Sequence, residues 1–263
     1  MLGAIIGDII GSRFEFNPSK SKSFDLFTKA SVFTDDTVMT CAIAAAVMRF
    51  CENGRSPPLA KYANDYLRIF GREYPYESYG AMFSEWLFSD SPMPRPSFGN
   101  GSAMRVSPVA YIARSLEEAE FYARESAMPT HGHPEGIKGA QATAACVYLA
   151  RKLRGKDEIK CHIQSEYYDL DFSLDDIRAD YAFNETCQKT VPQAICCFLE
   201  AESFEDCARN AVSLGGDADT LAAIACSIAE PFFGIPAEIK KEGLARLPEP
   251  LRKVLDNFRL RFI

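Results

Sequence analysis

The chain has 263 residues, 47% of them hydrophobic, enough to bury a sizeable core as one large domain or two small ones. Its formal charge of −7, with no basic stretch, argues against a nucleic-acid backbone as the main partner; only a local positive pocket for a phosphorylated ligand is left open. No apolar run reaches the roughly 18 residues that span a bilayer, so no membrane partner is expected.

In chain order, Met1–Gly11 superficially resembles a secretory leader. It lacks a basic start, however, and Asp8 interrupts the apolar run. Gly3, Gly7 and Gly11 recur at every fourth position and predict a helix with one smooth face that a neighbour can approach closely. Glu15 follows Asp8 at helical spacing, so the two share a face if that helix continues; otherwise Glu15 pairs on the surface with Arg13 or a lysine. Residues 35–53 are apolar nearly all round and predict a central helix. Pro57 and Pro58 then start a helix with a stripe of Leu59, Tyr62, Tyr66, Ile69 and Phe70. A shorter helix is expected from about Tyr79 to Phe88, followed by Pro92, Pro94 and Pro96.

Ser115 with Glu118 reads as a capping box for a helix over 116–127, and 135–154 form another helix rich in small residues. Residues 155–186, rich in acids and aromatics with little periodicity, are expected to be a long irregular excursion. Thr190 is expected to cap, and Pro192 to open, a helix through Ile195, Phe198 and Leu199. Ser203 and Asp206 introduce the next, which Gly215 ends. Short helices near 237–245 and 249–260 close the chain. Strand alternation is almost absent, and no linker or repeat is visible. The expectation is an all-α protein, a single domain over residues 1–263, acting as a monomer. Of the nine cysteines, eight sit in helical apolar patterns and no Cys-x-x-Cys occurs, which predicts buried free thiols and a cytoplasmic location.

Two acidic clusters carry the strongest functional signal. Thr34-Asp35-Asp36-Thr37 and Gly215-Gly216-Asp217-Ala218-Asp219-Thr220 each stand directly before a long run of small apolar residues. Thr34 alone with its acids is ordinary helix punctuation, in which a cap and two carboxylates complement the helix dipole. A second cluster, with acid-x-acid-Thr, is richer than a cap requires. Carboxylates at the edge of an apolar core need neutralising, and hard oxygen donors in this number suit Mg2+ or Mn2+. Thr130-His131-Gly132-His133 lacks a third nitrogen or sulfur ligand, so zinc is not expected. His131 is either a loop histidine facing a phosphate or ribose or a satisfied core histidine. Gly99-Asn100-Gly101-Ser102 is either a backbone cradle for an anion or a surface turn.

Taken in order, Gly7-Asp8 through Glu15, Thr34–Thr37, Gly99–Arg105, Thr130-His131, Thr190-Val191-Pro192 and Gly215–Thr220 resemble the ADP-ribosylglycohydrolase family. The resemblance implies an all-α fold, a single-domain orthogonal helical bundle, with two Mg2+ or Mn2+ ions. It also implies a metal-dependent hydrolase that cleaves the bond at C1 of ADP-ribose. Thr34, Asp35 and Asp36 match one ligand set, and Asp217, Asp219 and Thr220 the other. Gly99, Asn100, Gly101, Ser102, Met104 and His131 are the substrate-side candidates. Glu15 matches a loop glutamate near the scissile ribose; Asp36 or Asp217 is the candidate proton acceptor, with Glu15 assisting. The implied partners are an ADP-ribosylated protein or small ADP-ribose conjugate and free ADP-ribose. Arginine-linked ADP-ribose is the first choice, with serine, nucleobase and acetyl-ester linkages as alternatives. A non-catalytic ADP-ribose-binding module and a purely structural capping role are the competing readings.

Overall fold

The computed structural model describes residues 1–263. Fifteen α-helices form the fold, with no strand beyond two isolated bridges. They are α1 (Leu2–Gly11), α2 (Asp35–Glu52), α3 (Leu59–Glu73), α4 (Ala81–Phe88), α5 (Gly101–Met104), α6 (Val109–Ile112), α7 (Leu116–Ala127) and α8 (Pro134–Arg151). There follow α9 (Lys156–Glu166), α10 (Leu174–Arg178), α11 (Cys187–Leu199), α12 (Phe204–Leu214), α13 (Ala218–Phe233), α14 (Ala237–Ala245) and α15 (Glu249–Phe262). One cluster of 77 buried hydrophobic residues runs from Met1 to Phe258. No helix is long and apolar enough to cross a membrane.

The pairing of α1 with α13 sets the geometry of everything that follows. A Cβ added at Gly3 would lie 2.2 Å from the Cys226 carbonyl oxygen, at Gly7 2.2 Å from that of Ala222, and at Gly11 2.5 Å from that of Ala218. Each step of four residues along α1 is matched by a step of four backwards along α13. The two helices therefore run antiparallel with their backbones in contact, a separation that only glycine permits. Such close contact brings the C-terminal end of α1 to the N-terminal end of α13. Between the glycines, Ile5, Ile6, Ile9 and Ile10 are wholly buried and fix the rotation of α1.

Helix α2 is buried from Asp36 through Met48, as its lack of a polar face predicts. Four expectations change. Ile69 is 55% exposed, because the buried face of α3 is instead Leu59, Tyr62, Ala63, Leu67 and Gly71. The segment 155–186 is irregular only in part, over 167–173 and 179–186: α9 buries Ile159 and Ile163, spaced one turn apart, and α10 opens on a complete capping box of Ser173 and Asp176. Helix α11 begins at Cys187 rather than near Pro192, with Thr186 as its N-cap residue and Pro192 inside the helix. Backbone bonds from Cys187 to Phe98 (3.0 Å) and from Asn100 to Glu185 (2.8 Å) tie this start to the glycine-rich loop and draw the helix forward by a turn. Helix α4 starts at Ala81, two residues later than Tyr79.

Candidate active site

Three chain segments meet at one point: the turn after α1, the N-terminus of α2 and the N-terminus of α13. A 3-10 turn over Ser12–Phe14 ends α1, so Asp8 and Glu15 do not continue one helical face. Asp8 points inward, while Glu15 swings over α13, where its carboxylate joins those of Asp217 and Asp219 with all ligand atoms within 4.8 Å of one another. Arg13 leaves Glu15 alone and donates to the Asp25 carbonyl. The chain enters α13 through Gly215 and Gly216, both at φ +71, a left-handed pair that side chains disfavour. At Gly216 a Cβ would also meet Tyr181 at 2.9 Å. Across the gap, Thr220 Oγ1 donates to Asp36 Oδ1 at 3.4 Å, joining acidic clusters 184 positions apart.

Asp8 organises the α2 side. Its carboxylate accepts from the Thr34 backbone N–H (3.0 Å), the Thr34 hydroxyl (2.9 Å), the Thr37 backbone N–H (3.1 Å) and the Thr37 hydroxyl. An anion buried at a helix N-terminus is held by the free N–H groups and the dipole together. Thr34 also caps α2, accepting from Asp36 N–H at 3.3 Å. Its hydroxyl thus gives its proton to Asp8 and keeps one lone pair. Asp8 and Thr37 lie within the sequence motifs, but neither has a ligand or catalytic role assigned to it there. The signal available was Asp8 itself, an acid inside an otherwise apolar first helix.

The cluster is electrostatically unsettled. Burial, reinforced by neighbouring carboxylates, holds Asp35, Asp36 and Asp219 well above the usual carboxylate range. Burial and the Asp217 charge push Glu15 up to about 7. Burial also lifts Asp8 to about 6, against the four hydrogen bonds that pull it down. No lysine or arginine pairs with these acids. Asp36 Oδ2 is buried with no hydrogen-bond partner at all. Five carboxylates (Glu15, Asp35, Asp36, Asp217, Asp219), one of them with an unpartnered oxygen, and the flanking Thr34 and Thr220 hydroxyls make a donor set suited to a hard divalent cation.

This cluster floors a cavity of about 410 Å³, large enough for a nucleotide-sized ligand. Gly99, Asn100, Gly101, Met104 and His131 line it, together with Glu15, Asp35, Asp36, Asp217, Asp219 and Thr220. Asn100 does more than shape a loop: its Nδ2 donates to Asp217 Oδ2 at 2.7 Å and to Thr190 Oγ1 at 3.2 Å. Thr190 is therefore a brace, not a helix cap, and its own proton goes to the Asn184 carbonyl at 2.9 Å. Ser102 departs from expectation. Its hydroxyl is fully buried and donates to the Gly136 carbonyl at 2.6 Å, fastening α5 to α8 rather than facing the cavity. Two of the loop's backbone amides are committed, that of Asn100 to the Glu185 carbonyl and that of Gly99 to Ser97 Oγ at 3.1 Å, whereas the Gly101 and Ser102 N–H groups at the start of α5 make no hydrogen bond within the protein. The walls add aromatic residues that the sequence did not single out, Phe83, Phe98 and Phe183, beside Arg105 from the end of the glycine-rich motif. Aromatic residues scattered over 100 positions carry no motif of their own.

Fold and site together define an all-α protein with an acidic, cation-suited centre at the floor of a ligand-sized cavity. The sequence pattern of the ADP-ribosylglycohydrolase family matches residues 1–262; the chain belongs to that family and is an enzyme of its type. It is 24% identical over 315 residues to the mouse protein named ADP-ribosylhydrolase ARH3, covering 89% of this chain and 83% of that one. Over 268 residues it is 25% identical to the Pseudomonas putida protein named ADP-ribosylarginine hydrolase Tri1, covering 89% and 70%. A solved structure titled ADP-ribosylglycohydrolase-related protein complex superposes with a TM-score of 0.69 at 20% identity over 100% of this chain and 97% of that one, which establishes the shared fold.

Proposed function

We propose that this enzyme hydrolyses the glycosidic bond at C1 of ADP-ribose, releasing ADP-ribose from a modified protein side chain or a small conjugate. The observation that carries the reading is the convergence of five carboxylates from three chain segments on the floor of a cavity walled by the Gly99–Gly101 loop and His131. Departure of a group from C1 leaves positive charge on the ribose, and preorganised carboxylates favour that charge over the neutral ground state. Thr34, Asp35 and Asp36 on the α2 side, and Asp217, Asp219 and Thr220 on the α13 side, would hold two Mg2+ or Mn2+ ions. When bound, such ions supply Lewis-acid polarisation of substrate oxygens.

The chain's own residues do the rest. Asn100 fixes the rotamer of Asp217, and Asp8 fixes the start of α2, so the acids are held in place before substrate arrives. Glu15, half open to the cavity and lifted to about 7, is suited to hold or release a proton beside C1 near neutral pH, with Asp36 and Asp217 as the neighbouring acceptors. Arginine-linked ADP-ribose is the first substrate to test. One relative carries that activity in its name, and Glu15 and Glu185 offer carboxylates along the cavity to a guanidinium leaving group.

The test is a panel of arginine-, serine-, nucleobase- and acetyl-ester-linked ADP-ribose, incubated with the full chain and Mg2+ or Mn2+. Free ADP-ribose is expected from at least one linkage and is lost with EDTA and in Asp36→Ala. Absence of release from every linkage by metal-saturated protein refutes the proposal.

A further inference from the structure

A second wall of the cavity hides an unpaired cation. Arg105 is 1% exposed and joins no carboxylate in an ion pair. Its guanidinium lies 5.8 Å from the centroid of the Phe83 ring, its Nε has no partner, and Nη2 donates to Thr130 Oγ1 at 2.6 Å. Thr130, itself 2% exposed, stands 2.8 Å from His131 Nδ1 through the same oxygen. The Asp35 carboxylate acts on it only through space, and a buried cation that touches no counter-charge is costly to keep, which marks it for a purpose beyond packing.

The proton count fixes the direction of this chain. A guanidinium can only donate, so Thr130 Oγ1 is an acceptor towards Arg105. The hydroxyl has one proton, and His131 Nδ1 is the only other atom hydrogen-bonded to Oγ1. If Nδ1 carried a proton, the hydroxyl would accept twice and its own proton would be buried without an acceptor. Satisfaction of all three groups requires Thr130 to donate to a bare Nδ1. The imidazole proton then resides on Nε2, which makes no hydrogen bond within the protein and lies beside the glycine-rich loop. A Cβ added at Gly101 would stand 3.1 Å from it and one at Gly99 3.7 Å. Burial and the Arg105 charge hold the ring well below its ordinary value, so it stays neutral.

We propose that Arg105 and Thr130 are positioning residues that lock His131 as its Nε2–H tautomer, presenting a fixed neutral N–H, backed by a buried cation, to a phosphate oxygen of the diphosphate. The identity of that ligand rests on the reading of the cavity as an ADP-ribose site. The relay gives directional recognition without a second mobile charge, and the Arg105 field favours an anionic acceptor over a hydroxyl.

The test reads the ring directly. Full-length protein carrying isotope-labelled histidine is examined by NMR through the ring nitrogens, His131 being assigned by its absence from His131→Asn. The ligand-free wild type and Thr130→Ser are expected to show the Nε2–H pattern. Thr130→Val, which keeps the shape and removes the hydroxyl, is expected to lose it. ADP-ribose titrated by calorimetry should bind Thr130→Val roughly tenfold more weakly than wild type, with Thr130→Ser restored. A Nδ1–H or imidazolium pattern in wild type, or a Thr130→Val protein that keeps both pattern and affinity, overturns the proposal. Failure of the wild type to bind ADP-ribose would instead refute the ligand reading. In that case the spectra of the ligand-free protein still decide whether the relay exists.

Discussion

Removing divalent cation should destabilise this protein, and the loss should grow as pH rises. Burial takes Asp8 from an ordinary 3.8 to about 6, and burial with the Asp217 charge takes Glu15 from 4.5 to about 7. For both, the folded chain binds more protons than the unfolded chain between those values. Their contribution is fully present below about 4 and is lost as pH climbs through the folded values. At roughly 1.4 kcal/mol per pH unit, Asp8 alone accounts for about 3 kcal/mol; Glu15, half open to solvent, adds about 1–2 kcal/mol after screening. A cation that binds the ionised cluster works in the opposite sense. At a hundred times its dissociation constant it stabilises by about 2.7 kcal/mol, or roughly 5–10 °C in Tm for a chain of this size. The assay is thermal melting in EDTA and in excess Mg2+, at steps from about pH 4 to pH 7. Surface carboxylates that pair with arginine and lysine, such as Glu52 with Arg261, titrate alike in both buffers and cancel in the difference. The Mg2+ increment should be near zero at pH 4 and largest at pH 7. An increment that is absent at pH 7, or flat across the range, would show that the carboxylates do not form a cation site.

Two further outcomes follow from the packing around the cluster. Gly7→Ala sets a Cβ 2.2 Å from the Ala222 carbonyl, so α1 and α13 must separate; melting should fall by several degrees for about 1–3 kcal/mol, and the Mg2+ increment should shrink with it because Glu15 and Asp219 part. Thr37→Val removes one hydroxyl from Asp8 and should cost about 1.5–3 kcal/mol in urea melts, while leaving free ADP-ribose affinity within a few fold; an unchanged midpoint would deny Asp8 its organising role.

Much of this molecule was legible in the sequence because helices announce themselves locally. The glycine spacing of α1, the apolar run of α2 and the caps at Ser115 and Ser203 each report on neighbours three or four residues away, and all appear in the structure. Failures came where local signals conflict with distant ones. Pro192 looks like a helix start, but backbone bonds to Phe98 and Glu185 begin α11 a turn earlier. Helix α9 hides because two isoleucines on one face are a weak period in a polar stretch. Ser102 looks like part of an anion loop, yet only the approach of α8 decides that its hydroxyl meets Gly136.

The helical class, the identity of the acids and threonines, and their order along the chain are all written in the residues themselves. These follow from residue type and short-range spacing, which folding does not alter. It takes the folded chain to show that Asp8 serves Thr34 and Thr37, that Asn100 holds Asp217, and that Arg105 reaches His131 through Thr130. Each of those is a hydrogen bond a few ångströms long between residues far apart in the chain, set by side-chain rotamers and by how the helices and loops pack, and a one-dimensional pattern contains neither.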